Sequence, residues 1–221
     1  MIDALQLSAL EARILGCLIE KEITLPDYYP LTLNALSAAC NQTTNRDPIM
    51  SLDDSTVLRV VEGMKTRGWI FQVSIVGARV HKYRHNLNAR IPGLEKPSIA
   101  LLCVLLLRGA QTLGELRQRT ERLHSFSDLE SIEASLNDLI NHPECPLVVC
   151  LPAGAGRRVA QYAQLLTGEP TGPAAQEEFI IAPVPAPVSA EDQAWRQRME
   201  MEIESLKAQL TKLKIDLGVA D

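Results

Sequence analysis

The side chains best suited to chemistry are few and poorly grouped. His142, Cys145 and Cys150 fall within NHPECPLVVC. Three soft donors could begin a zinc site, but a closed site takes four, and no second ligand pair at metal spacing stands nearby. Cys150 sits in a strand-like apolar run and reads as a buried thiol. His81 and His85 stand four apart on an expected strand, hence on one face, with no carboxylate or cysteine to complete a set. They read as solvated residues of a hairpin. The motifs GxSxG and HExxH and a phosphate-cradling glycine loop are absent from the sequence. The expectation is a chain that is not an enzyme and that uses no metal or cofactor.

What remains is local charge. Arg59, Lys65 and Arg67 fall on one expected helix, with Arg46 in the loop before it. Arg79, Lys82 and Arg84 cluster around one expected hairpin, with no acid between Gln72 and Asn88. Such a set can meet phosphates, and the amides of Asn41, Gln42 and Asn45 can pair with base edges. The same amides serve equally well as loop-internal hydrogen bonds and caps. Asp47, Asp53 and Asp54 oppose a polyanion at the start of that helix.

The elements that position these residues are written twice. GARVHKY at 77–83 returns as GRRVAQY at 156–162, and the TLxxL of Thr32–Leu36 returns at Thr112–Leu116. In the first copy Leu7, Leu10, Ile14, Cys17 and Leu18 keep helical spacing. Thr32 caps a short helix, and Ser51 or Asp53 caps a third that runs to Arg67, where Gly68 ends it. WIFQVSIV and VHKYRH then flank a turn as a two-stranded ribbon. In the second copy Ile99–Leu107 forms the first helix. Thr112 with Glu115, and Ser127 with Glu130, read as capping boxes. LVVCLP and RVAQYAQLL flank the second turn. Its third helix, SDLESIEASLNDL, holds four acids and no base. Only Arg157 and Arg158 on the ribbon, with Arg117, Arg119 and Arg122 nearby, offer positive charge there. The recurring tyrosines, Tyr83 and Tyr162, read first as a packing signal.

Three helices and a ribbon are the order of a winged helix, so the expected fold class is mainly α with small β-hairpins (α+β). Two independently packed winged-helix domains, 5–89 and 92–167, are expected around Ile91-Pro92-Gly93. The apolar Ile99–Leu107 helix should bury more than one face, against the first domain or a second protomer. YPLTLNALSAACNQTTNRDP (29–48), with LEARILGCLIEKE upstream, resembles the YceH-like family of bacterial proteins of unknown function. The resemblance covers both repeats and the C-terminal helix. It implies a tandem winged-helix fold and brings no activity or ligand.

A proline-rich linker, 168–190, leads to a C-terminal helix, 191–218. There Met199, Ile203, Leu206, Leu210, Leu213 and Leu217 alternate spacings of four and three, an a/d seam that either pairs two chains as a coiled coil or packs in cis. A homodimer is the expectation. Residues 1–90 carry ten Lys/Arg against nine Asp/Glu, residues 91–168 seven against eight, and residues 169–221 five against ten. The two copies are nearly neutral, which rules out a broadly basic nucleic-acid footprint. Five cysteines without regular spacing fit a reducing cytoplasm. An acidic N-terminus argues against export, and no apolar run approaches the ~20 residues of a membrane span. The functional expectation is DNA binding of a regulator type; the alternative is a protein-interaction scaffold built on the same modules.

Overall fold

Helix α1 (Ala9–Thr24) opens on a capping box at Ser8 and Glu11 and is buried continuously from Ala12 to Glu20. A surface helix would bury one stripe; α1 is covered on more than one side. In the computed structural model, which describes residues 5–74, 80–154, 157–170 and 201, it is packed by elements of both repeats. On one side lie α2 (Leu33–Cys40), capped by Thr32, and α3 (Asp54–Thr66). On another lies α5 (Lys96–Arg108), itself buried from Ala100 to Leu107.

Asp53, not Ser51, caps α3 by accepting the Thr56 N–H at 2.6 Å. Gly68 follows at φ +75, a left-handed turn that suits glycine and lets Trp69 N donate to Met64 O at 2.9 Å. The chain then enters β2 (Ile70–Val73) and returns as β3 (Lys82–His85). The ribbon has a third member: β1 (Leu31–Thr32) adds to β3, giving the antiparallel order β1-β3-β2. A two-residue strand inside YPLTL has no periodicity to betray it. After the short α4 (Leu87–Arg90) and α5, the order repeats with β4 (Gln111–Thr112), α6 (Leu113–Thr120), α7 (Leu129–Ile140), β5 (Val148–Leu151) and β6 (Gln161–Gln164). The second sheet has the same order, β4-β6-β5. The described chain is therefore α+β, with seven α-helices and two small antiparallel sheets among the described residues.

The repeated phrase now has a physical reason. Tyr83 pairs with Leu31 on one side and Gln72 on the other; Tyr162 pairs with Gln111 and Cys150. Each tyrosine is the node of its sheet, and both pack on the core. The turn residues 75–79 and 155–156, Arg79 among them, lie outside the described residues.

Two expectations are corrected here and one, the second buried face of α5, is met. The copies are not independently packed, because one hydrophobic core runs from Leu5 to Leu166 through both. The apolar α5 finds its second face against α1. Gly16 marks a close approach of the two, since a Cβ there would lie 2.8 Å from Leu107 Cδ2 and 3.2 Å from Leu106 Cβ. Helix α7 is capped by Asp128 with Ser131, not Ser127 with Glu130: the Asp128 carboxylate accepts the Ser131 N–H at 2.7 Å, while Ser127 Oγ donates to Asp128. A full negative charge at that position also suits the helix dipole.

The chain divides into compact units 1–175 and 176–221. Of the second unit only Met201, helical and exposed, is described. The expected seam of Met199, Ile203, Leu206, Leu210, Leu213 and Leu217 lies outside the described residues, as does the linker beyond Pro170. No described helix is long and apolar enough to cross a membrane.

Candidate nucleic-acid interface

The predicted basic residues separate into two groups once their partners are known. Arg46 is interior. Its guanidinium grips Glu20 through two nitrogens, at 2.7 and 3.3 Å, and Arg46 Nε donates to Ala39 O at 3.1 Å. Arg13 adds a bond from Nη1 to Cys40 O at 3.1 Å. Two arginines thus satisfy the last carbonyls of α2, which otherwise have no partner. Arg46 cannot reach a phosphate from there, and that assignment is corrected. Burial pushes the Glu20 carboxyl upward, but the Arg46 fork and its charge outweigh burial and hold it below the usual carboxylate range.

The amides follow Arg46 inward. Asn41 clasps Leu52 twice, donating to its carbonyl and accepting from its N–H, each at 2.7 Å. Gln42 Oε1 accepts from Arg46 at 3.0 Å. Asn45, left-handed at φ 58, accepts from Arg108 Nη1 at 2.8 Å. All three are engaged in structure rather than presented to a groove. Arg67 is likewise tied, donating to Glu11 at 3.0 and 3.1 Å and to Gln6 O. Lys65 is held by Glu62 at 2.8 Å and Gln72 at 2.5 Å.

Arg59, Lys82 and Arg84 form the other group, and none of them makes an ion pair among the described residues. Arg59 is exposed on α3. Alternation along β3 buries Tyr83 and His85 and turns Lys82 and Arg84 to the outer face. Arg84 lies over the Phe71 ring, 5.2 Å from its centroid, and Phe71 is its cross-strand partner. The contact sets the guanidinium against an exposed aromatic surface. Asp53 stands at the start of α3; its hydrogen bonds to Thr56 and Ser55 hold the carboxyl low, so it is charged at neutral pH.

His85 is not a solvated wing residue. Leu87 N donates to its Nδ1 at 3.2 Å, which leaves Nε2 to carry the proton toward Glu22 Oε2 at 2.7 Å. His81 is exposed and beside Ser74 Oγ. In the second copy His142 is buried with Nε2 3.0 Å from Pro92 O, and Cys145 is half-buried. Cys150, expected inside, is exposed on β5. No group of three or more His, Cys, Asp or Glu side chains is placed to hold a metal ion among the described residues. Glu130, Glu133 and Asp138 are exposed on α7, Arg158 is exposed at the turn, and Arg157 Nε donates to Pro152 O at 3.3 Å.

Sequence reasoning missed Arg13 and Glu20 because both sit inside the apolar run of α1, where a charge looks like a helix face turned outward. The signal available was their spacing: Arg13 falls one position before Ile14 and Glu20 two after Leu18, within the stretch that the helix buries on all sides.

Comparison with known proteins agrees on one grouping. Residues 7–157 match the family model described as "Protein of unknown function, DUF480". A UPF0502 protein of Vibrio atlanticus is 44% identical over 211 residues, covering 94% of this chain and 95% of its own. One from Pelobacter propionicus is 45% identical over 208 residues, covering 92% and 91%. One from Geobacter sulfurreducens is 49% identical over 164 residues, covering 74% of each.

Proposed function

The chain belongs to the DUF480 (UPF0502) family, and we propose that it is a non-catalytic, tandem winged-helix protein that binds duplex DNA through the first copy of its repeat. The observation that carries this reading is the outward set of Arg59, Lys82 and Arg84, free of ion pairs among the described residues, on the third helix and ribbon of one copy. In a helix-turn-helix arrangement the third helix enters the major groove and the ribbon follows the adjacent phosphates. Arg79 extends the same hairpin in sequence. The second copy, with an acidic α7, takes a supporting place away from the phosphates. The assembly proposed is a homodimer through the tail seam; Leu210→Glu should then yield a smaller species in sedimentation.

Retention of the full chain on duplex DNA across a salt series tests the reading. About three phosphate contacts per protomer give log affinity falling against log salt with a slope of about −3. Lys82→Ala/Arg84→Ala should weaken retention on every sequence. Absence of salt-sensitive retention at low ionic strength sinks the DNA reading and favours the protein-interaction scaffold.

A further inference from the structure

A second site lies where the two copies meet. The loop 41–45, the C-terminal half of α1 and Arg122 line a cavity of about 440 Å³. Arg108 and Arg119 line a smaller adjoining hollow that shares Glu20, Asn45 and Arg122 with it. The charge here does not cancel. Glu20 is shared by three cations, with Arg46 at 2.7 Å, Lys21 at 3.1 Å and Arg122 at 3.8 Å. Arg46 already takes both carboxylate oxygens. Of the other carboxylates, Glu115 is held by Arg119 at 3.1 Å and Asp47 acts on Arg108. The charged lining of the two hollows is thus four cations, Lys21, Arg108, Arg119 and Arg122, against one carboxylate, Glu20; Lys21, which also donates to Gln42 Oε1 at 3.4 Å, and Arg122 are the two on the larger cavity.

The neutral groups there are donors in waiting. Thr43 and Thr44 are exposed, with hydroxyls that have no partner among the described residues. Arg122 is 65% exposed and meets Glu20 only at the edge of ion-pair range. Burial, followed by the neighbouring Arg119 charge, depresses Arg108.

We propose that this inter-copy cavity binds a small phosphorylated polyanion, held by Lys21, Arg122 and the hydroxyls of Thr43 and Thr44. Guanidinium and ammonium groups complement phosphate oxygens, the hydroxyls supply further donors, and the volume falls within the range of small-molecule sites. Such a ligand would touch the first copy through the loop and the second through Arg122. The site is separate from the proposed DNA surface and does not depend on it.

The test is calorimetric titration of pyrophosphate into the full chain at constant ionic strength. One saturable site is expected, with Arg122→Ala weakening it about tenfold and Thr43→Val/Thr44→Val about threefold. Arg122 is solvent-exposed, so an unchanged melting midpoint without pyrophosphate checks that the variant is folded. Arg157→Ala/Arg158→Ala, on the second ribbon, should bind as the unmodified protein does. Lack of saturable binding, equal affinity in Arg122→Ala, or equal weakening by the ribbon variant overturns the proposal. Displacement of pyrophosphate by duplex DNA would assign the phosphate chemistry to a nucleic-acid backbone and overturn it as well. Lys82→Ala/Arg84→Ala, which tests DNA retention, should leave pyrophosphate binding intact.

Discussion

Helix α3 of the first copy and α7 of the second hold the same place in the order of elements, and each precedes a sheet of identical topology. Their surfaces differ. Helix α3 exposes Arg59 between the acids Asp54 and Glu62, while α7 exposes Glu130, Glu133 and Asp138 with no base among them. The loops before them differ too: in the first copy the chain from Asn41 to Asp53 dives inward through Arg46, whereas in the second the shorter stretch from Glu121 to Asp128 stays mostly at the surface. A repeated fold therefore fixes where helices and ribbons stand and leaves the charge on them free to diverge. Any shared task of the two copies lies where they meet, whereas the proposed DNA contact draws on the first copy alone.

The strongest way to break this asymmetry is to attack the loop unique to the first copy. Arg46→Met leaves Glu20 buried with Lys21 at 3.1 Å and Arg122 only at 3.8 Å, and should cost about 3 kcal/mol in denaturant unfolding, at the low end for breaking a buried pair. A cost below about 1 kcal/mol would mean that Lys21 replaces it. Acid probes the same pair. Glu20 and Glu115 are both held below the ordinary 4.5, Glu20 by Arg46 against its burial and Glu115 chiefly by the Thr112 backbone N–H. Their contribution is complete above that value and is lost as pH falls through the lower folded values. Thermal midpoints should be level from neutral to about pH 5 and decline below it, and Arg46→Met should remove the Glu20 share.

Next in size is the joint core. Gly16→Val drives a branched side chain into Leu106 and Leu107 and should cost roughly 1–3 kcal/mol. Because one core spans both copies, unfolding should stay a single transition; two separate transitions would show that the copies are energetically independent. The proposed DNA surface gives a smaller and more selective effect. Lys82→Ala/Arg84→Ala should flatten the salt slope by about 2, and Arg157→Ala/Arg158→Ala should change it less. The smallest change expected is from Asp53→Asn. Asparagine keeps the N-cap, so stability should hold within about 0.5 kcal/mol while non-specific DNA retention tightens.

Much of this was legible from the residues. Periodicity and caps marked α2, α3, α5 and α6, because Thr32, Gly68 and the Thr112–Glu115 pair act locally. The family resemblance pointed to the same repeated order. What stayed hidden was pairing over long sequence separations. Arg46 reads as a loop cation until Glu20, 26 residues earlier, is brought against it. His85 reads as a wing residue until Glu22 and the Leu87 N–H approach. Cys150 fails in the other direction: its apolar neighbours suggest an interior, but strand alternation faces it outward. The two-residue strands β1 and β4 are too short to carry a period, and are created by the strands they join.

The crossing of α1 on α5 at Gly16 has one more meaning. These are the first helices of the two copies, so each half offers the other the same element. Pairing one element with its own copy is how an isologous interface closes two identical subunits about a twofold axis. Here the subunits are covalently continuous through Ile91, Pro92 and Gly93. Joining them removes the translational and rotational entropy that a separate pair must surrender on associating. The chain is in this sense a dimer that cannot be diluted apart, and its two faces have been free to become unlike while their contact is permanent.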